Sequence, residues 1–181
     1  KLPHYEVKKG SPQTKAEEKQ LIEFCKNNPH LYGIHSLLVL LYTGMRLGEL
    51  ASMKIESEDN YTFITCETEK TRKGYATIRR RIPISPMFRK VWDMIDFEKA
   101  KTASSKTLSD TIKRVFPERH VHELRYTFIS RCKECGCNLE LVMLWDGHEF
   151  DKDVRTSKVD RGYTQYSDEI YFGDIEKVNY E

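Results

Sequence analysis

The beginning of the chain repeats apolar positions at the spacing of an α-helix. In residues 14–27 the apolar side chains recur on one face. Thr14 is followed by Glu17 at the spacing of a capping box, which marks a helix start. Residues 30–43 are apolar nearly all round, as in a buried helix, and Gly44 stands where a C-cap glycine is expected. Two helices are therefore predicted, the second of them inside the core.

The pattern changes to that of β-structure in the middle of the chain. Residues 61–68 and 75–84 are rich in β-branched and aromatic side chains, which favour strands. Residues 73–74, a Lys-Gly pair, lie between them and supply a turn. This arrangement predicts an antiparallel β-hairpin.

Helical periodicity returns after Pro86 and continues for most of the remaining chain. The predicted helical segments, separated by glycine and proline, are residues 87–97, 107–116, 121–135 and 138–147. A short helix is also predicted at residues 46–54. The fold class predicted is therefore mainly α with a small antiparallel β-hairpin or sheet.

One compact domain accounts for the whole chain, because 181 residues suffice for one well-buried core and are few for two. We expect a linker at residues 1–13, a core at residues 14–148, and a flexible connector with a C-terminal tail at residues 149–181. Residues 149–161 contain eight charged side chains and are too polar to belong to a core.

The composition is that of a globular protein, with 39% hydrophobic and 32% charged residues. No apolar run approaches the ~18 residues that span a bilayer, and the first residues contain no stretch suited to a signal peptide. An intracellular protein without a membrane segment is expected. The net charge of +2 is too small to indicate a polyanionic partner by itself, although basic side chains are concentrated in residues 70–81.

The five cysteines are odd in number and lack the regular spacing of a disulfide framework, which favours a reducing environment. Cys132, Cys135 and Cys137 are close in sequence, but a structural zinc site needs about four ligands, usually in two pairs. Their spacing suits helix packing equally well. We therefore expect no metal site.

Basic and proton-transferring side chains stand at several of the predicted element ends. His122 and Arg125 lie three residues apart at a helix start, so they share one helical face. Arg46 follows the buried helix and its tight turn. Together with Lys70 and His148 they would form a pocket without a matching carboxylate cluster. Such a pocket suits a phosphate, because guanidinium groups bind its oxygens in pairs and stay charged at neutral pH.

The sequences TGMRLGEL, HELRY and DGH, in this order and spacing, resemble motifs of the tyrosine recombinase, or phage integrase, family. Arg46 matches the family's first arginine, and Lys70 matches the lysine of its β-hairpin. His122 and Arg125 match its H-x-x-R motif, and His148 matches its Gly-His motif. The resemblance covers nearly the whole chain and implies the catalytic-domain fold of that family. Members usually carry an N-terminal DNA-clamping domain as well, which we expect to be absent from this chain.

The resemblance also implies a nucleophilic tyrosine near the C-terminus. In the family this tyrosine commonly follows the Gly-His histidine by about nine residues, a position that Ser157 occupies here. The segment GYTQYS resembles the family's sequence around the nucleophile and selects Tyr163, with Tyr166 as the alternative. The connector before it is therefore longer than usual, and delivery of the tyrosine to its own pocket or to a neighbour's stays open.

The chemistry implied by the resemblance is attack of the Tyr163 hydroxyl on a DNA phosphodiester, which gives a 3′-phosphotyrosyl link and a 5′-hydroxyl. A phenol with an ordinary pKa of about 10 needs help to lose its proton, and His122 is the expected base. Lys70 is the expected acid for the leaving oxygen. Arg46 and Arg125 would hold the oxygens of the five-coordinate phosphorus, and the histidine of the Gly-His motif would donate a further hydrogen bond.

The basic side chains on the predicted hairpin are expected to have two roles, one in catalysis and one in contacting DNA. Lys70 is preferred over Lys73 as the catalytic lysine, because it precedes Thr71 and the arginine-rich return strand. The residues expected to contact DNA phosphates are Arg72, Lys73, Arg79 and Arg81. Strand alternation would aim Arg80 away from its two neighbours.

The expected function is site-specific DNA recombination, as by the integrase of a virus or another mobile element, without a metal or nucleotide cofactor. The expected partner is double-stranded DNA, on which the chain would form a tetramer, while a monomer without DNA is compatible with the sequence. The expected location is the host cytoplasm with access to chromosomal DNA. Two alternatives keep the same fold: DNA relaxation of the type IB topoisomerase kind, and a DNA-binding remnant that no longer cleaves. A zinc-binding regulatory domain is a third alternative.

Overall fold

The structure is a computed structural model that describes residues 10–67, 79–147 and 166–181. In these residues helices predominate, accompanied by one three-stranded antiparallel sheet. The predicted fold class, mainly α with a small antiparallel sheet, is therefore confirmed. No helix in the described ranges is both long and apolar enough to cross a bilayer.

The first two helices agree with the hydrophobic pattern. α1 (Lys15–Asn27) begins at a capping box formed by Thr14 and Glu17. α2 (Gly33–Thr43) is buried along its whole length and ends at Gly44, whose φ of 62° is left-handed. Both the predicted helix start and the predicted C-cap are confirmed.

The sheet follows a 3₁₀ helix (Leu47–Ser52), which is the form that the predicted short helix takes. The strands, in the order β1-β2-β3, are β1 (Lys54–Glu58), β2 (Tyr61–Glu67) and β3 (Arg79–Pro83). Antiparallel pairing of β2 with β3 confirms the predicted hairpin, whose connecting residues lie outside the described part of the chain. β1 is an addition to that hairpin. None of its side chains is fully buried. Its sequence accordingly shows no alternation of apolar and polar residues that would have predicted a half-buried strand.

Short and long helices follow the sheet. They are α3 (Pro86–Arg89), a 3₁₀ turn (Trp92–Met94), α4 (Phe97–Thr102), α5 (Ser105–Val115), α6 (Glu123–Glu134) and α7 (Leu139–Asp146). The last three agree with predicted helices. The continuous helix predicted at residues 87–97 is wrong, because the chain bends there and packs Trp92 against Phe88 and Phe97, with ring centroids 5.1 and 4.5 Å away. Tertiary contact outweighs local propensity at this place.

α2 is the centre of the core, with α4, α5 and α6 packed around it. α5 approaches closely at Gly33, where an added Cβ would lie 2.3 Å from the Thr111 hydroxyl oxygen. In α4, the Ala100 carbonyl accepts a 2.8 Å hydrogen bond from the Ser36 hydroxyl. A helix that is apolar all round must be covered on all sides. α6 packs on α2 and contacts the turn at Gly44, where the Gly44 carbonyl accepts a hydrogen bond from Arg125.

Residues 166–181 fold back onto this core. They form α8 (Asp168–Gly173) and a 3₁₀ helix (Asp174–Lys177). Three of their apolar side chains are buried: Phe172, Ile175 and Val178. Only a C-terminal tail was expected here, and the burial of these side chains was not predicted. The segment is too short to show the hydrophobic periodicity that predicts a buried helix.

Residues 10–13, part of the expected linker, also contact the core. The Gln13 N–H donates to Thr127 Oγ1 at 2.8 Å, and the Ser11 N–H donates to Glu123 Oε1 at 3.2 Å. Both acceptors belong to α6. The chain is therefore held to α6 before α1 begins.

Candidate active site

The turn between α2 and the sheet presents Arg46. Gly44 ends α2 in the left-handed conformation, and the backbone is extended at Arg46, with φ −78° and ψ 152°. The Arg46 N–H donates to Glu49 Oε2 at 2.7 Å, and Nη1 donates to Oε1 of the same carboxylate at 3.0 Å. Nη2 donates to the Gly147 carbonyl at 3.3 Å. The side chain is 17% exposed, so a fixed guanidinium remains accessible from solvent.

The first turn of α6 presents Arg125, whose side chain is 3% exposed. Its Nη1 donates to the Gly44 carbonyl, and its Nη2 lies 3.7 Å from Asp146 Oδ1. These contacts join α6 to the end of α2 and to the end of α7. Arg46 lies in the turn after α2 and contacts the C-terminal end of α7, and Arg125 contacts both of these places.

The pKa of Arg125 reflects this concentration of positive charge. It falls to about 10, chiefly because burial disfavours the charged form; Asp146 opposes the change, while the Arg46 and Arg80 guanidiniums add to it. A pKa of about 10 still leaves the group protonated at neutral pH. The site therefore keeps a cationic Arg125 within electrostatic reach of two further guanidiniums, an arrangement suited to an anion.

His122 lies immediately before α6, three residues from Arg125. Its side chain is exposed, and its ring meets the Tyr126 ring edge-on with centroids 5.1 Å apart. The H-x-x-R pair thus places one exposed and one buried group at the same helix end.

Sequence reasoning missed two residues of this site, Glu49 and Arg80. Arg80 is 4% exposed; its Nη1 donates to the Trp145 carbonyl at 2.6 Å, and its Nη2 pairs with Glu49 Oε2. The prediction that Arg80 faces away from its neighbours on β3 is confirmed. The expectation of a pocket without a matching carboxylate cluster needs correction, because Glu49 and Asp146 both pair with arginines of the site. A signal for Glu49 was its place three residues after Arg46 at a helix start, which is capping-box spacing.

The other face of β3 carries Arg79 and Arg81, both expected to contact DNA. Arg79 pairs with Glu56 of β1. Arg81 pairs with Glu58 at 2.8 Å and with Asp168 at 3.3 Å. These ion pairs are partly exposed, so exchanging them for phosphate contacts costs little free energy. The DNA contacts of both arginines stay a prediction.

Tyr166, the alternative nucleophile, is among the described residues. Its hydroxyl donates to Glu140. This hydrogen bond, together with burial, raises the pKa of Tyr166 above the ordinary value of a phenol. A raised pKa disfavours the phenolate that attack on phosphorus requires.

Several candidate residues fall outside the described ranges: Lys70, Arg72, Lys73, His148 and Tyr163. Their predicted roles stay predictions. The residues next to these segments are described, and some of them contact the site or the sheet. Gly147, at one such edge, accepts the hydrogen bond from Arg46. Glu67 and Arg79, at the two edges of another, are partners in the pairing of β2 with β3.

The five cysteines are free thiols, and four of them are buried in the fold. Cys132 and Cys137, at the turn between α6 and α7, are 0% and 5% exposed. The Cys137 N–H donates to the Cys132 carbonyl at 2.9 Å, which closes the end of α6. Within the described ranges, no group of three or more histidine, cysteine, aspartate or glutamate side chains is placed to hold a metal ion.

Comparison with known proteins gives matches among solved structures. No protein-family model matches the sequence, and no curated protein matches it. The Tn1549 transposon integrase in complex with circular intermediate DNA matches with a TM-score of 0.58 and 15% identity, over 96% of this chain and 67% of its own. A lambda integrase dimer bound to a COC′ core site matches with a TM-score of 0.59 and 18% identity, over 84% and 64%. The lambda integrase catalytic core matches with a TM-score of 0.56 and 18% identity, over 79% and 94%.

These likenesses establish the fold. The chain has the catalytic-domain fold of tyrosine recombinases and integrases, as the resemblance in sequence implies. It spans 60% to 67% of the length of the Tn1549 integrase chains that it matches.

Proposed function

We propose that this chain is the catalytic domain of a site-specific DNA recombinase, which cleaves and rejoins DNA through a 3′-phosphotyrosyl intermediate. The observation that carries the proposal is the meeting of Arg46 and Arg125, 79 residues apart in sequence, at one place in the fold. The same fold belongs to integrases whose structures contain DNA. A pair of fixed guanidiniums suits the phosphodiester of DNA.

The charge balance of the site favours an anionic ligand. Its guanidiniums belong to Arg46, Arg80 and Arg125, and its carboxylates belong to Glu49 and Asp146. Within this group of five described residues, the positive charges therefore outnumber the negative charges by one. Arg46, at 17% exposed, is the most accessible of the three arginines. A phosphodiester supplies the missing negative charge, and charge develops further as phosphorus becomes five-coordinate.

In the proposed reaction, the Tyr163 hydroxyl attacks phosphorus while His122 takes the phenolic proton. The bond from phosphorus to the 5′ oxygen breaks as Lys70 protonates that oxygen. The products are a 3′-phosphotyrosyl ester and a 5′-hydroxyl, with Arg46 and Arg125 on the non-bridging oxygens throughout. Because one ester replaces another, a second DNA 5′-hydroxyl can reverse the step without ATP.

Tyr163 is preferred to Tyr166 for a reason beyond the sequence resemblance. The Tyr166 hydroxyl is engaged with Glu140, and this contact raises its pKa. Removal of its proton would place a phenolate beside a carboxylate. Its raised pKa makes Tyr166 a poor nucleophile as it stands in this structure.

The testing experiment captures the covalent intermediate without knowledge of the target sequence. A library of duplexes with randomised sequence, nicked so that the cleaved end diffuses away, is incubated with the protein. DNA that stays attached after denaturation is then sequenced. Wild type is expected to enrich a defined sequence, Tyr163→Phe to give no adduct, and Tyr166→Phe to retain it. Arg46→Ala and Arg125→Ala should each slow adduct formation by about 10²-fold to 10³-fold.

Other outcomes would redirect the proposal. Adduct that survives in Tyr163→Phe but not in Tyr166→Phe would move the nucleophile to Tyr166. DNA binding without any adduct in wild type would favour a remnant that only binds. Relaxation of supercoils without exchange between two captured sites would favour a topoisomerase. Mixing Arg46→Ala with Tyr163→Phe restores cleavage only if subunits share the tyrosine.

A further inference from the structure

A buried arginine on β3 lies in this site without a part in the proposed chemistry. Arg80 is 4% exposed, whereas Arg79 and Arg81 reach the other face of the strand. Burial of a guanidinium is costly unless acceptors and an opposite charge compensate it. Arg80 finds both: Nη1 donates to the Trp145 carbonyl at 2.6 Å, and Nη2 pairs with Glu49 Oε2.

Glu49 connects Arg80 to Arg46. Its side chain is fully buried, and its Oε2 accepts from both the Arg46 N–H and the Arg80 Nη2. Its Oε1 accepts from the Arg46 Nη1. If Arg46 were its one cationic partner, Glu49 would cancel the charge of Arg46. Because a second guanidinium shares the carboxylate, Arg46 keeps positive charge for an anionic ligand.

Arg80 also fixes the end of α7. The Trp145 carbonyl belongs to the last turn of α7, where carbonyls need hydrogen-bond donors from outside the helix. Gly147 follows with a φ of 70°, and an added Cβ there would lie 2.6 Å from Arg80 Cδ. The arginine thus packs directly on the residue whose carbonyl accepts from Arg46.

We propose that Arg80 is a positioning residue for the phosphate site. From inside the fold it neutralises Glu49 and anchors the end of α7, so that the Arg46 guanidinium is both held and charged. It acts through Glu49 and Gly147 and not by touching DNA. This inference rests on the proposed function and deepens it.

The first test is the single-turnover rate of covalent cleavage at saturating DNA, with a captured sequence as substrate. The dissociation constant is measured separately by fluorescence anisotropy. Arg80→Met removes the charge and the donors but keeps an unbranched side chain. We expect the rate to fall by about 10²-fold while the dissociation constant changes by less than about threefold, because DNA binding is shared among many phosphate contacts whereas the chemical step depends on the charge at this site. Arg80→Lys, which keeps the charge, should recover about tenfold of the loss.

A matched control separates positioning from general stability. Arg131 is 5% exposed and lies at the other end of α6, where it pairs with Glu18 at 2.6 Å and donates to the Gln13 carbonyl at 2.7 Å. Arg131→Met therefore removes an equally buried arginine and should lower the melting temperature comparably. Its cleavage rate should stay within about threefold of wild type.

A double variant tests the electrostatic part of the proposal. Glu49→Gln combined with Arg80→Met should cleave faster than Arg80→Met alone, because the amide keeps the shape of the Glu49 side chain but no longer cancels the charge of Arg46. Three results would overturn the inference: a wild-type rate in Arg80→Met, an equal loss in Arg131→Met, or a double variant no faster than Arg80→Met.

A second readout is independent of cleavage. Inorganic phosphate, compared with chloride at the same ionic strength, should raise the melting temperature of wild type and of Arg131→Met. The increase should be smaller in Arg80→Met. If wild type forms no adduct with any DNA, the proposed function fails while this comparison still decides the role of Arg80. Equal phosphate shifts in wild type and Arg80→Met would then reject it.

Discussion

Position 125 shows how burial distinguishes arginine from lysine. Burial brings the pKa of Arg125 down to about 10, which leaves it cationic at neutral pH. A lysine starts from an ordinary pKa of about 10.4, so the same burial would bring it towards neutrality. The guanidinium also engages two groups at once, because Nη1 donates to the Gly44 carbonyl and Nη2 forms an ion pair with Asp146. Charge and geometry therefore both depend on arginine here.

We predict that Arg125→Lys makes DNA cleavage sensitive to pH. A lysine is charged below its pKa, so the variant should be most active at about pH 6 and lose activity as the pH rises to about 9. Single-turnover rates of the variant are divided by wild-type rates, which cancels the titration of other groups. Arg125→Gln, uncharged throughout, should give a low and constant ratio. A ratio for Arg125→Lys that is constant or rises with pH would contradict the prediction.

We also predict that the acidic partners of two arginines differ in their contribution to stability. Glu49 is 0% exposed and pairs with Arg80, whereas Glu58 is 61% exposed and pairs with Arg81. Glu49→Ala leaves a buried guanidinium without its carboxylate and should lower the free energy of unfolding by about 3 to 5 kcal/mol. Glu58→Ala should lower it by less than about 1 kcal/mol. Urea unfolding measures both, and similar losses would count against the buried network.

At the level of elements, two helix ends show what a glycine supplies. The turn after α6 contains Gly136, with φ 74° and nothing within 4 Å of an added Cβ. α7 ends at Gly147, with φ 70° and Arg80 Cδ only 2.6 Å from an added Cβ. An L residue at either position bears the backbone cost of the left-handed region. At Gly147 it also meets a buried side chain.

The two glycines therefore form a matched pair for mutation. Gly136→Ala should lower the free energy of unfolding by about 1 kcal/mol. Gly147→Ala should lower it by a further 1 to 3 kcal/mol or so, because the arginine must shift. Only Gly147→Ala should also slow covalent cleavage. Urea unfolding and adduct formation measure the two effects, and equal behaviour of the variants would show that Arg80 is not constrained at this helix end.

At the level of the whole molecule, residues 166–181 join the sheet to the turn between α6 and α7. Phe172 stacks on Tyr61 and Phe63 of β2, with centroids 4.8 and 5.2 Å away. A side-chain oxygen of Asp174 accepts from the Asn138 N–H at 2.6 Å, at the start of α7. The segment thus connects elements that are distant in sequence.

Phe172→Ala should weaken this docking. Loss of a buried aromatic ring lowers the free energy of unfolding by about 3 to 5 kcal/mol, whereas Phe172→Leu keeps much of the volume and should cost about 1.5 kcal/mol or less. Hydrogen exchange should accelerate in residues 168–177 before it does so in α2, because α2 is enclosed by other helices. Exchange that accelerates equally in both would mean that the segment does not open on its own.

Much of this molecule follows from short-range sequence patterns. Three features depend only on residues a few positions away: the capping box at Thr14, the left-handed turn at Gly44 and the inward direction of Arg80. The fold class follows from the hydrophobic periodicity. Arg46 and Arg125 can be singled out because the motifs around them mark element ends, where side chains from different elements meet.

Other features depend on contacts between distant parts of the chain. The break in the helix predicted at residues 87–97, the docking of residues 166–181 and the burial of Arg80 against Glu49 all belong to this class. Whether a charge is buried, and by what it is neutralised, depends on partners that only folding brings within reach. The sequence by itself determined which charged groups stand at the element ends. The tertiary structure decided which of them neutralise one another and which guanidinium remains for a ligand, because charge compensation is a property of distances in space.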